Sequence, residues 1–202
     1  MTDHNQAIRD DIAFLRSLAE AGRGGPLKGG SILMAAGLIY AACAFVTWGA
    51  AASPMSPLFM PILWFGGTGL FFVALFVLRR RLGTKTDTNE AAGLIWAGAG
   101  WALFVIVLSL IVMAYRSNAG WILAAICPIV LATYGAAWTV AGILTKVGWM
   151  RLVGLGAFAM ALVCAWYSLE MRTLFLVYGV SLLGLVALPG YLAMRQAQHA
   201  AA

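Results

Sequence analysis

Six stretches dominate this chain: Ser31–Ala52, Leu58–Leu78, Ala91–Tyr115, Ala119–Leu144, Val147–Leu169 and Thr173–Met194 are almost continuously apolar. A helix rises about 1.5 Å per residue and a bilayer's hydrocarbon core is about 30 Å thick, so roughly twenty apolar residues cross it once. Each stretch is long enough. A transmembrane barrel would instead alternate apolar and polar residues in segments of about ten. The run Gly69-Leu-Phe-Phe-Val-Ala-Leu-Phe-Val-Leu78 does not alternate. The expected fold is all-α and integral to the membrane: a bundle of six transmembrane helices with short loops, preceded by a short amphipathic helix. Composition agrees, with 63% apolar and only 10% charged residues.

The longest connection, Arg79–Glu90, is too short to fold a domain, so extramembrane chemistry is confined to residues 1–30 and 195–202, flanking the transmembrane domain 31–194. Within the long connection, Asp87-Thr-Asn-Glu90 has the spacing of a capping box at the start of the third span. Cytoplasmic flanks retain Lys and Arg. With the amino terminus inside, the inner flanks hold eleven basic residues, Arg9, Arg16, Arg23, Lys28, Arg79, Arg80, Arg81, Lys85, Lys146, Arg151 and Arg195, and the outer flanks hold Arg116 and Arg172. Both termini are therefore expected in the cytoplasm and the bilayer is expected to be of the bacterial inner-membrane type. Arg79, Arg80 and Arg81 abut a span, where they suit inner-leaflet headgroups. The net charge of +6 thus has a membrane explanation, and no direct nucleic-acid partner is expected. The first apolar run begins only at Ser31, which argues against a cleaved signal peptide.

Ile8, Ile12, Leu15 and Ala19 recur at helical spacing, and Phe14 and Leu18 widen the stripe they make. Gly22-Arg-Gly-Gly-Pro-Leu-Lys-Gly-Gly30 then breaks this helix from the first span. It is not a phosphate loop, because Lys28 is followed by Gly29 rather than Ser or Thr. Such a helix lies on the inner leaflet, places its apolar stripe in a groove of a cytoplasmic protein, or packs under the chain's own bundle.

Ala35-Ala-Gly-Leu-Ile-Tyr-Ala41 and Ala91-Ala-Gly-Leu-Ile-Trp-Ala97 share six of seven residues, and Pro61, Pro128 and Pro189 fall one in each even-numbered span. The pattern suggests three repeated hairpins, although an alanine-rich membrane sequence echoes itself easily. Ala157, Ala161 and Ala165, Gly93 and Ala97, and the Gly66-Gly67-x-Gly69 run offer close helix contact within the chain or across a homo-oligomer.

No Asp, Glu, Lys, Arg or His lies mid-span, and His4 and His199 sit in the tails. Haem ligation, a buried lysine aldimine, a carboxylate proton relay and intramembrane protease chemistry all lack their residues. No catalytic residue, cofactor or metal is expected. Cys43, Cys127 and Cys164 are read as small packing residues. Trp48, Trp64, Trp121 and Trp166 would line the outer interface and Trp96 and Trp149 the inner one. Deeper lie Tyr40, Trp101, Thr133, Tyr134 and Trp138, material for a pocket taking a neutral or lipophilic ligand. Three functions fit: a regulatory, sensor or adaptor protein with a cytoplasmic partner, a small permease or exporter subunit, and a structural subunit of a larger membrane complex.

Overall fold

A computed structural model of the chain describes residues 29–54, 56–82 and 90–199. Helix α1 is Gly30–Ala50, α2 Phe59–Leu82 and α3 Glu90–Ser117. A 3₁₀ stretch, Gly120–Ala125, leads into α4, Ile126–Leu144, and α5 is Gly148–Trp166. The sixth span is composite: α6 Met171–Leu182, a π turn Leu183–Ala187, and α7 Leu188–His199. Among the described residues six helical segments are long and apolar enough to cross a membrane, so this is an integral membrane protein. The expected amphipathic helix bearing Ile8, Ile12, Phe14, Leu15 and Leu18, and the cap at Asp87, lie outside the described residues.

The described boundaries follow local chemistry. The third span ends where Asn118 adopts φ 50°, a left-handed conformation that asparagine tolerates, and the Ala119 N–H then bonds back to Ala114 O at 3.2 Å. The fourth ends likewise at Lys146, φ 57°. Lysine gains nothing from that conformation, which costs a non-glycine residue about 1–2 kcal/mol. After allowing for glycine's looser unfolded chain, Lys146→Gly should stabilise the protein by about 0.5 kcal/mol, a rise of one or two degrees in its detergent melting temperature. Gly29, φ 125°, sets the entry to α1. The sixth span runs on to His199, beyond the expected end at Met194, because Arg195-Gln-Ala-Gln are good helix formers with no breaker among them.

The spans are not equivalent. Buried residues make up 56% of the sixth span's most apolar stretch and 44% of the first's, but only 6% of the second's and the third's. The sixth span is the hub: α1 packs along all of it, and α5 and α4 pack on it as well. Helix α2 packs on α1, and α3 packs on α4. Lipid is as apolar as leucine, so close backbone approach rather than water exclusion must hold the helices together. At Gly30 a methyl group would strike Gly190 O, and at Gly37 it would lie 2.5 Å from Ala187 N. At Gly154 it would meet Thr139 Oγ1 and, 2.9 Å away, Gly135 O. The contacts at Gly30 and Gly37 join α1 to the sixth span, and the one at Gly154 joins α4 to α5.

Several expected small-residue contacts turn out differently. Ala157 and Ala161 are buried but Ala165 is exposed, because the stripe outruns the interface. Gly66, Gly69 and Gly93 face open space, and of that group only Gly67 turns inward, against the Cys43 sulfur. The hairpin repeat is not carried by the geometry either. Gly37 abuts Ala187 while its counterpart Gly93 touches nothing. Pro61 and Pro128 sit in the first turns of α2 and α4, where a missing N–H is harmless, whereas Pro189 interrupts the interior of a span.

Candidate functional site

Proline at position 189 has no N–H to give the carbonyl four residues earlier, and its ring crowds that carbonyl. The carbonyl belongs to Leu185. The sixth span answers by widening: Leu188 N–H bonds five residues back, to Leu183 O, rather than four. Leu185 O is then satisfied from another helix, by the Trp138 indole N–H at 3.0 Å. Trp138 is fully buried. An orphan carbonyl inside a membrane protein costs about 1–3 kcal/mol, which is why a large side chain with one donor suits this place.

Around Trp138 lie three further rings. Trp96 of α3 meets it edge to face at 5.1 Å between centroids and 77°. Trp149 of α5 is 5.8 Å away, and Tyr134, one turn earlier on α4, is 5.8 Å from Trp96. Edge-to-face contacts of this kind place a positive ring edge on a negative ring face. A second cluster lies between α1, α2 and α6. Tyr40 donates to Thr68 Oγ1 at 3.3 Å and stacks on Trp64 at 6.3 Å, and Trp64 packs on Phe175 and Tyr178 at 5.7 and 6.4 Å. Tyr40 and Tyr134 both lean on the same buried group centred on Leu131, Tyr178 and Leu182.

Of the five residues expected to share a pocket, the fold thus brings Tyr134 and Trp138 into one cluster and Tyr40 into its neighbour. Thr133 is only partly buried, and its hydroxyl donates to Ile129 O at 2.8 Å, within its own helix. Trp101 does not join them. It is 70% exposed on the outer side of α3, packed edge to face on Phe104. The reason is rotational: α3 packs chiefly on α4 and the 3₁₀ stretch that leads into it, so a residue five positions beyond Trp96 points elsewhere. Ser181 and Thr139 likewise bond the carbonyl one turn back in their own helices.

Three tryptophans assigned to interfacial belts prove to be interior. The indole nitrogens of Trp64, Trp96 and Trp149 are buried and without a hydrogen-bond partner. Trp121 and Trp166 are exposed at the end of the bundle where Arg116 and Arg172 lie, as belt residues are. Sequence depth alone could not separate the two groups. Only the Pro189–Leu185 offset signalled that a donor was needed, and nothing in the sequence said Trp138 would supply it.

At the other end of the bundle, Arg79 and Arg80 are exposed in the last turn of α2, which extends through Arg81 to Leu82 rather than ending at Leu78. The Arg80 guanidinium lies 4.1 Å above the Phe76 ring, a cation–π contact that holds the side chain along the helix. Lys146 and Arg151 are exposed at the same end, in and just after the α4–α5 turn. Cys43, Cys127 and Cys164 are buried free thiols. Among the described residues no three His, Cys, Asp or Glu side chains gather as metal ligands would.

Comparison with known proteins finds no family model, no curated protein and no solved structure that matches this chain.

Proposed function

We propose that this chain is a non-enzymatic, multi-pass protein of a bacterial-type inner membrane, with both termini in the cytoplasm, acting as a regulatory or adaptor protein. Its partner is a cytoplasmic protein that takes the stripe Ile8, Ile12, Phe14, Leu15 and Leu18 in a groove. The observation that carries the reading is the use made of the polar groups at membrane depth. Trp138 donates to Leu185 O, Tyr40 donates to Thr68, and the Thr133 hydroxyl returns to its own helix. Polar groups already spent on hydrogen bonds within and between helices are poor material for a solute path. The distribution of basic residues supports the orientation, since Arg79, Arg80, Lys146 and Arg151 fall on the side opposite Arg116 and Arg172.

The test compares affinity capture from detergent-solubilised membranes by three chains: intact, lacking residues 1–20, and carrying Ile12→Asp with Leu15→Asp. The expected result is one or more soluble proteins retained by the intact chain and lost, by tenfold or more, from both variants. Identical partner sets for all three would end the adaptor reading. Solute flux into vesicles reconstituted with the purified protein would replace it with the permease.

A further inference from the structure

The sixth span carries an unusual local choice. Leu188 N–H reaches back five residues to Leu183 O, so the turn at Leu183–Ala187 holds one residue more than an α-helix would. Leu185 O takes its donor from Trp138. A second donor for that carbonyl exists within the span itself. Gly190 lies five residues beyond Leu185 and has the N–H that Pro189 lacks. If the extra residue moved from the present turn to the next, Gly190 N–H would reach Leu185 O by the same five-residue pattern, with no help from another helix.

We propose that the wide turn of the sixth span has two registers, and that the Trp138 indole selects the one seen here. Gly184, near the start of the turn, is exposed, and a side-chain carbon added there would meet nothing within 4 Å, so no neighbouring helix packs on that face of the turn. Residues before and after the turn keep their places in either register, because the extra residue is only relocated. Those between, Ala187 and Leu188 among them, turn by about 100° and advance about 1.5 Å. Ala187 is the residue against which Gly37 of α1 is set. Changing register therefore separates α1 from the hub at that point, and a perturbation of the Trp96–Trp138–Trp149 cluster reaches the first span through one hydrogen bond. The proposal concerns the bundle alone and stands whether or not residues 1–20 bind a partner.

Leu188 is exposed and moves between registers, whereas exposed Leu152 on α5 does not. Spin labels at these two positions, with Cys43, Cys127 and Cys164 replaced by alanine, give a distance by pulsed electron resonance in nanodiscs. The intact Trp138 protein should give one distance. Trp138→Phe should add a second, displaced by on the order of 8 Å for a label at a helix's outer radius. Adding Pro189→Ala should restore the single original distance, since residue 189 then donates to Leu185 O while the wide turn stays in place. Hydrogen exchange on chains with native cysteines is a parallel measurement. Trp138→Phe should accelerate exchange at residues 184–190 at least tenfold, leave residues 152–162 of α5 unchanged, and be reversed by Pro189→Ala. One unchanged distance in Trp138→Phe, featureless broadening, or equal acceleration in α5 would each overturn the proposal.

Discussion

Gly37→Leu is expected to disrupt the bundle, while Gly93→Leu, made in the nearly identical heptapeptide of the third span, is expected to leave it intact. A first side-chain carbon at Gly37 would sit 2.5 Å from Ala187 N and 2.8 Å from Ala187 Cα, both backbone atoms. Backbone cannot rotate aside, so α1 and the sixth span must part, and the neighbouring Gly30–Gly190 contact parts with them. Overpacking usually costs about 1–3 kcal/mol. Loss of the flanking contact should place this case at roughly 3 kcal/mol or more, a fall of about 6–12 °C in melting temperature for a chain of this size. At Gly93, which is exposed, a first side-chain carbon meets nothing within 4 Å, and leucine on a lipid-facing surface is favourable by a few tenths of a kcal/mol. Size-exclusion chromatography of heated detergent samples reads both. Equal shifts for the two variants would mean that the heptapeptides are equivalent and the packing described here is wrong.

Trp138→Phe should have the second-largest effect, and Pro189→Ala should partly repair it. Phenylalanine keeps an aromatic ring between Trp96 and Trp149 but removes the indole donor that Leu185 O has in the present register. Loss of that hydrogen bond, or the register change that replaces it, together with a small void should cost about 2–3 kcal/mol. Alanine at 189 brings back a backbone N–H at the position where a helix would supply it, and should return about 1–2 kcal/mol of that loss. In the otherwise unchanged protein Pro189→Ala should be close to neutral, because a carbonyl oxygen can accept two hydrogen bonds and the freer unfolded chain offsets the gain. The double-mutant cycle is therefore strongly non-additive. Additive melting shifts would show that Trp138 stabilises the fold by its volume alone.

The six spans were legible because crossing a bilayer is a property of each segment: about twenty apolar residues with their own hydrogen bonds satisfied. Even the ends were nearly right, as at Leu144 and Tyr115, within a few residues of the described helices. The candidate pocket was legible only in part. Tyr134 and Trp138 fall one turn apart on one helix, so they must share a face. Trp101 and Trp96 are also near in sequence, yet one points outward and the other into the core. Three of the six tryptophans placed at the interfaces by depth alone, Trp64, Trp96 and Trp149, turn inward for the same reason. Depth along a span is a one-dimensional quantity, and facing is not.

What the amino-acid sequence determined by itself is thus the six segments able to cross a membrane and the carbonyl that Pro189 deprives of a partner. Which helices meet was decided only in three dimensions. The sixth span became the hub because Gly190 and Ala187 let α1 come within backbone contact, while Gly154 and Gly135 did the same for α5 and α4. Identical glycines at 66, 69 and 93 face nothing. In a lipid solvent apolar residues carry little information about the inside, since both sides of a helix prefer the same chemistry. Shape at each contact, which the linear order of residues does not encode locally, makes the choice.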